Sequence, residues 1–448
     1  MQEGGCVTAK LKDEPRQQFL NGIDPPEMRR LRSLAEPCVW TERMLTALNT
    51  GVKGGKWHSL IDKVWNPDNL RASFARVQRN DGAAGVDRVT CEMFAARLDV
   101  HVPWLESALR EERYVPQPVQ RTWIPKPGRK EKRPLGSPTV RDRTVQGALR
   151  NVLEPIFEHD FAEHSYGFRP GRGCQDALRR VAQLLSEGYV WVLDADLKSY
   201  FDTIPHDQLL AHVGRKISDS RVLSLVAASL KQPILDDLKD WTPEAGTPQG
   251  AVLSPLLANI YLDPLDHLMA DAGSEMVRYA DDFVILCRSQ AAAEAALALV
   301  RQWTESAGLI LHPDKTRLVA ASNRGGFDFL GYHFQRGRQW PSKKAQEQLR
   351  NRLRPLTKRH NGTSLEAIVS RLTPILSGWF EYFKHGAAYN LRTLDGWVRM
   401  RLRSILRRRH HRKGRGRGRD HQRWPNAFSA DRGLFSLAAA HAEACQSV

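Results

Sequence analysis

The chain has 448 residues, with 67 Lys and Arg against 50 Asp and Glu, a formal net charge of +17 and a pI near 9.8. That length supports two or three domains with cores of their own, and that charge favours a polyanion, either nucleic acid or an anionic membrane surface. No apolar run approaches membrane-spanning length, no signal-peptide pattern opens the chain, and the six cysteines form no Cys-x-x-Cys pair. A membrane role, a zinc module and a disulfide framework are therefore disfavoured, and nucleic acid in a reducing cytoplasm is the expected setting.

Residues 1–60 mix charge, proline and glycine with little periodicity. They are expected to form a partly disordered extension, with order beginning near Trp57. Helical patterns follow over 69–77 and 102–112, separated by the turn-rich Asn80-Asp81-Gly82-Ala83-Ala84-Gly85. Trp123-Ile124-Pro125-Lys126-Pro127-Gly128 and the basic cluster 129–133 read as strand, tight turn and strand, with cations at the tip. Such a hairpin could clamp a triphosphate, with Lys126 and Arg133 as the contacts. Leu135-Gly136-Ser137-Pro138-Thr139 exits into a helix over 142–157.

Ser165-Tyr166-Gly167-Phe168-Arg169-Pro170-Gly171-Arg172-Gly173 combines glycines, arginines and aromatics, so Arg169 and Arg172 are candidate nucleic-acid contacts. Residues 189–197 are almost continuously apolar, the profile of a strand covered on both faces. Asp194 and Asp196 interrupt it and, by the period of two, share a side. A helix over 207–217, the break Gly246-Thr247-Pro248-Gln249-Gly250 and a helix over 254–269 come next.

Tyr279-Ala280-Asp281-Asp282 is flanked by apolar, β-prone residues, which predicts two short strands with Ala280-Asp281-Asp282 at or near the turn. Adjacent carboxylates repel unless a cation lies between them. Asp196, on a buried strand upstream, supplies a third. Asp196, Asp281 and Asp282 are thus the candidate catalytic and metal-binding acids for two magnesium ions about 4 Å apart, with manganese as a substitute. Such a pair would activate a 3′-hydroxyl and stabilise a leaving pyrophosphate.

Downstream, 290–307 reads as a helix stopped at Gly308, and 309–315 and 327–334 as strands. Helical spacing returns over 365–383 and 394–408. Residues 399–423 form the densest positive stretch, in which Arg399, Arg403 and Arg407 are candidate phosphate contacts, with a disordered basic tail over 412–423 as the other reading. Residues 424–440 regain apolar content and suggest a small docked element.

Taken in order, seven motifs resemble the bacterial group II intron reverse transcriptase/maturase family. They are Asn80-Asp81-Gly82-Ala83-Ala84-Gly85-Val86-Asp87, Ile124-Pro125-Lys126-Pro127-Gly128, Ser165-Tyr166-Gly167-Phe168-Arg169-Pro170, Asp194-Ala195-Asp196-Leu197, Pro248-Gln249-Gly250 with Ser254-Pro255-Leu256-Leu257-Ala258-Asn259, Tyr279-Ala280-Asp281-Asp282 and Phe329-Leu330-Gly331-Tyr332. The likeness runs from about Trp57 onward. It implies an α+β right-hand polymerase with fingers and palm over 61–340, a helical thumb or maturase domain over 341–410 and a basic segment over 411–448.

By the same resemblance Asp196, Asp281 and Asp282 are the metal triad and Leu197 adds a backbone carbonyl to the metal. Lys126 and Arg133 hold the incoming deoxynucleoside triphosphate, Phe201 crowds a 2′-hydroxyl, and Gln249 lines the pocket near the templating pair. Lys315 protonates pyrophosphate. Trp379, in Ser377-Gly378-Trp379-Phe380, belongs to the helix that grips the template–primer duplex and the intron RNA. The partners implied are group II intron RNA, an RNA template with a DNA primer, and target DNA, with no membrane.

Three departures stand out. Ala251 replaces a common second glycine, the loop between Lys126 and Arg133 is long, and no endonuclease-like cluster follows the maturase region. Two alternatives remain: a non-catalytic RNA-binding maturase, against which the intact triad argues, and a reverse transcriptase of a defence or diversity-generating system, disfavoured by the maturase-like thumb and the Pro-Gln-Gly loop.

Overall fold

A computed structural model describes residues 26–446 except 126–131, 237–238, 323–324, 415 and 417. Lys126 therefore lies outside the described residues. The chain divides into two compact units: the described part of Met1–Gln117 with Pro138–Asp160 and Leu210–Ser229, and Pro118–Ser137 with Phe161–Leu209 and Leu230–Val448.

The first unit is built of helices around Val140–Glu158, the expected 142–157 element, whose Val145, Leu149, Val152 and Leu153 are buried. Helix Pro67–Asn80 crosses it so closely that a Cβ on Gly147 would meet Ser73 Oγ at 2.1 Å, and Ser73 Oγ donates to the Thr144 carbonyl at 2.7 Å. Asn66 caps the N-terminus of that helix and Asp81 ends it with φ of 42°. The Asn80–Asp87 loop is fastened by Arg143, which donates to the carbonyls of Ala83 and Pro138.

Order does not begin near Trp57. Helices Pro26–Leu34 and Glu42–Thr50 precede it, and Leu31, Val39, Trp40, Leu45 and Leu48 are buried. The Trp40 indole donates to the Asn151 carbonyl at 3.0 Å and meets the Trp57 ring edge-on at 5.4 Å. Nine-residue helices are too short for periodicity to stand out against a proline- and charge-rich background.

The strands of the second unit are β1 (Val119–Pro125), β2 (Lys132–Ser137), β3 (Trp191–Asp196), β4 (Ile234–Asp236), β5 (Lys239–Trp241), β6 (Glu275–Tyr279), β7 (Asp282–Cys287), β8 (Arg317–Ala320), β9 (Phe327–Phe329), β10 (Tyr332–Gln335) and β11 (Arg338–Pro341). The sheet β6-β7-β3-β8 is antiparallel throughout. Consecutive burial of Val192 and Leu193 on β3, and of Phe283 to Leu286 on β7, confirms that both faces are covered. Helices Cys174–Ser186, Ser254–Asp271 and Gln290–Ser306 pack on it.

Hairpin β1–β2 forms as expected, but β4 and β5 extend it into a sheet of order β2-β1-β4-β5 through a parallel β1–β4 pairing. Those three-residue strands were invisible to pattern reading. The expected strand over 309–315 is replaced by a single bridge, Leu197 to Leu311, and the true strand is β8. Pro313 within that stretch cannot donate to a ladder. The expected strand over 327–334 is instead the hairpin β9–β10, turned at Leu330 (φ 46°) and Gly331 (φ 82°).

Helices Lys343–Leu356, Leu365–Phe383, Ala388–Arg409 and Leu437–Gln446 share a core that includes Leu353, Leu372, Leu391, Ile405 and Leu437. Among the described residues the stretch from 411 onward is not a free tail. Trp424, Leu434 and Leu437 are buried, and Asp420 pairs with Arg407 at 2.7 Å. Asp395 seats the last helix by accepting from Ser436 Oγ (2.7 Å) and the amides of Leu437 and Ala438 (both 3.0 Å). No described helix is long and apolar enough to cross a membrane.

Asp395→Ala leaves those two amides without an acceptor. It should lower stability by about 1–3 kcal/mol and expose Leu437–Gln446 to limited proteolysis. Unchanged cleavage and melting would show that apolar packing alone seats the helix.

Candidate active site

Tyr279 pairs with Asp282, so Ala280 and Asp281 make a two-residue turn. Ala280 has φ of 59° and Asp281 is not left-handed, the pattern of a II′ turn, where alanine is strained. The turn is held from behind by Arg278, which is 0 % exposed. Its Nε donates to Asp266 at 2.8 Å, and its Nη1 donates to Asn259 Oδ1 (2.9 Å) and to the Ala280 carbonyl (3.0 Å). Both partner side chains come from helix Ser254–Asp271.

The Ser165–Phe168 loop presses on the same turn. Tyr166 N donates to the Arg278 carbonyl at 2.8 Å, and Asn259 Nδ2 donates to the Gly167 carbonyl at 2.8 Å. A Cβ on Gly167 would lie 2.1 Å from Ala280 N, so only glycine allows this approach.

The register of β3 on β7 sets Asp196 directly across from Asp282, and Asp281 follows in the turn. The three acids foreseen from sequence meet at one end of the sheet. Leu197 continues β3. Flanking bonds from Lys198 N to Ile310 O and from His312 N to Asp196 O leave Leu197 the non-bonded member of its bridge to Leu311. Its carbonyl therefore points away from that segment, toward the β7 side.

Burial, then the charges of Asp194, Asp196 and Asp281, pushes the Asp282 carboxyl from 3.8 up to about 7. Burial, then the Asp196 charge, raises Asp281 as well, opposed by Arg133 and Lys315. Asp194, which sequence reading left without a role, is also raised by burial despite its ion pair with Arg317 at 3.0 Å. The Lys315 ammonium pairs with Asp196 Oδ2. Among the described residues no three acidic, histidine or cysteine side chains are gathered closely enough to hold a metal ion between them. The chemistry of the donors nevertheless suits magnesium: they are oxygen-only, negatively charged and mutually repelling.

Phe201 is half-buried, edge-on to Phe168 at 6.2 Å, and lines a cavity of about 570 Å³ together with Gln249, Gly136, Pro134 and Asp202. The backbone of the Pro248-Gln249-Gly250 loop is fixed where Gly136 N donates to the Gln249 carbonyl at 2.6 Å. Gly250 has φ of 106°, and a Cβ there would strike the Gly136 carbonyl at 2.4 Å. Ala251 is buried in ordinary backbone, so the loop needs no second glycine at that position. Arg133 is exposed on β2 and acts on Asp281 at a distance.

A family model described as Reverse transcriptase (RNA-dependent DNA polymerase) matches residues 124–334, and one described as Group II intron, maturase-specific domain matches residues 346–424. Protein YkfC of Escherichia coli (strain K12) is 36% identical over 321 residues, covering 62% of this chain and 83% of that protein. The chain belongs to the group II intron reverse transcriptase/maturase family. Group II intron-encoded protein LtrA of Lactococcus lactis subsp. cremoris is 37% identical over 202 residues, 45% of this chain and 33% of LtrA. The match thus spans most of YkfC and a third of LtrA. Telomerase from Candida albicans superposes with a TM-score of 0.39 and 12% identity over 68% of this chain and 64% of that one.

As a reverse transcriptase of this family the chain is an RNA-directed DNA polymerase, with an α+β fold. Its expected nucleic-acid arginines divide. Arg169 is 5% exposed and spends its guanidinium on the carbonyls of Ala162 (2.6 Å) and Ser165 (2.8 Å). Arg403 is also 5% exposed and holds the Trp424 carbonyl (2.9 Å) and Asn426 (2.8 Å). Both are fold arginines, not contacts for RNA. Half-buried Arg399 and Arg407 pair with Asp395 and Asp420, and Arg172 bonds the Glu163 carbonyl. Trp379 is half-buried, packed against both the core that includes Val192, Val284 and Tyr332 and the core of the C-terminal helices, 4.4 Å from the Phe383 ring.

Sequence reading missed a basic cavity of about 990 Å³ in the maturase region, lined by Arg354, Lys358, Arg359, His360, Arg401 and Trp397. Burial, then the charge of Arg354, lowers the Arg401 pKa, and the Arg401 guanidinium lies 5.1 Å over the Trp397 ring. A cation run on paper gives no hint of which cations converge.

Between about pH 4 and 7 the folded reverse transcriptase keeps a proton on Asp282 that the unfolded chain gives up, so metal-free stability falls as pH rises through that window. Melts without divalent cations should give a lower Tm near pH 8 than near pH 5, and Asp282→Asn should remove most of that slope. Magnesium should restore Tm at the higher pH and do little at the lower, where protons compete with it. A slope unchanged by the substitution would place the titration elsewhere.

Proposed function

We propose that the chain copies RNA into DNA by magnesium-dependent nucleotidyl transfer at Asp196, Asp281 and Asp282, and binds group II intron RNA through its maturase region to assist splicing and mobility in the cytoplasm. The observation that carries this reading is the register that sets Asp196 across from Asp282, with Asp281 in the adjoining turn and their mutual repulsion raising the Asp282 carboxyl. When bound, two magnesium ions, or manganese, supply activation of the primer 3′-hydroxyl and stabilisation of the pyrophosphate.

The chain's own residues do the rest. The three carboxylates and the Leu197 carbonyl hold the cations. Arg133, with Lys126, neutralises the incoming triphosphate. Phe201 lines the cavity where a nucleotide sugar would lie and crowds a 2′-hydroxyl, while Gln249 on the same wall flanks the templating pair. Lys315, whose ammonium lies against Asp196, would protonate the leaving pyrophosphate.

In the maturase region Trp379, Arg399, Arg407 and the basic cavity beside Trp397 support contact with the template–primer duplex and intron RNA. Arg172 adds a contact near the palm, and target DNA is a further partner of the same surface. The relatives named for introns support splicing assistance.

Asp282→Ala should lower primer extension on RNA by at least about a hundredfold, the loss of several kcal/mol of charge stabilisation, with intron RNA binding retained. Loss of extension and RNA binding together would make the triad a structural element. Phe201→Ala should raise ribonucleotide over deoxynucleotide incorporation by about tenfold, measured by single-nucleotide insertion. Unchanged discrimination would take sugar selection away from this ring.

A further inference from the structure

The sheet that carries the cationic hairpin leaves two tryptophans open. Trp123 on β1 is 45% exposed and Trp241 at the end of β5 is 40% exposed. Ile124, next to Trp123, is 45% exposed as well. Ile124 faces the other side of the sheet, but the two tryptophans left in water on one small sheet mark an interaction surface more often than chance exposure.

Arg121 ties the two rings together. Its Cζ lies 4.5 Å from the Trp241 ring and 5.5 Å from the Trp123 ring. Arg121 and Trp123 are two residues apart on β1, so both project from one face of the sheet. The Trp123 indole donates to Asp236 at 3.1 Å, which fixes the angle of that ring. The assembly is therefore a preset row of aromatic, guanidinium and aromatic groups.

Its position narrows the occupant. Arg121 and Trp241 line the same cavity as Phe201 and Gln249, so the row is continuous with the nucleotide pocket. Rings alternating with a cation fit a ligand that offers flat π-faces and negative charge together. Single-stranded nucleic acid does this, whereas a duplex hides its base faces and presents phosphate alone.

We propose that Arg121, Trp123 and Trp241 form a stacking platform for the unpaired RNA template ahead of the templating base. This rests on the polymerase reading above. The two rings stack template bases and the Arg121 charge follows the backbone between them. The platform aligns the template before it pairs and does not touch the reacting atoms.

The test compares primer–RNA duplexes that carry either one unpaired template nucleotide or about ten. The wild type should bind the longer overhang more tightly by about fivefold or more, the low end of what stacked bases contribute. Trp123→Leu and Trp241→Leu, which keep apolar bulk without an aromatic face, should abolish that preference and leave affinity for the short overhang unchanged. Trp241→Phe should keep it. A preference that survives both leucine variants, or an equal loss on both overhangs, overturns the proposal. If the wild type extends no primer, the polymerase reading itself fails. The platform is then judged by anisotropy of a labelled single-stranded oligoribonucleotide: weaker binding in the leucine variants supports it, and unchanged binding rejects it.

Discussion

A fully buried guanidinium governs the position of the two adjacent acids. Arg278 lies on β6, one residue before the strand's end, and its side chain reaches back under the turn that follows. Burial alone would lower its pKa, but Asp266 overrides that and holds it charged. An unpaired charge there would cost several kcal/mol, so helix Ser254–Asp271 and hairpin β6–β7 are held to one relative placement. Asn259 strengthens this by serving both Arg278 and the Gly167 carbonyl. The Ser165–Phe168 loop, helix Ser254–Asp271 and the hairpin itself thus converge on Ala280.

That convergence explains how the turn tolerates what it carries. A left-handed alanine and two neighbouring carboxylates each oppose the folded state. Neither would persist on a hairpin free to rearrange. The cost is concentrated at the triad and is compensated in the network beneath it, where Asp266 and Asn259 hold Arg278 and Arg278 holds the turn. The acids themselves are left under-compensated: Lys315 pairs with Asp196, Arg317 pairs with Asp194, and Asp282 faces three other carboxylates. A cation offsets that repulsion, so the arrangement is stable in use and costly without metal.

Much of this was legible in the chain because the informative signals were local. The apolar run with Asp194 and Asp196, the Asp-Asp turn and the helix Leu365–Phe383 each declare themselves within twenty residues. What stayed hidden depends on partners far away. β4 and β5 exist because β1 offers an open edge, and the early helices exist because Asn151 and Trp57 await Trp40. The 309–315 stretch looked like a strand by composition, yet Pro313 removed a donor and the pairing moved on to β8. The Arg278 network was equally silent, since an arginine on a strand reads as a surface cation until its acid is known.

The arginines make the general point. Arg143, Arg169, Arg278 and Arg403 are buried and held by carbonyls, amides or a carboxylate, although on paper each contributes to the positive charge that suggests nucleic acid. Guanidinium suits both uses for one reason: five donors in a rigid fork satisfy several acceptors at once, whether those are backbone carbonyls at a chain crossing or phosphate oxygens. Net charge therefore overstates the surface available to RNA, and sequence density of arginine misplaces it. The cations left for phosphate are those whose forks the fold has not filled. Among the described residues Arg121 against its two rings is one of them, whereas Arg354, Arg359 and Arg401 around the cavity beside Trp397 already donate to Glu347, Gly414 and Thr357.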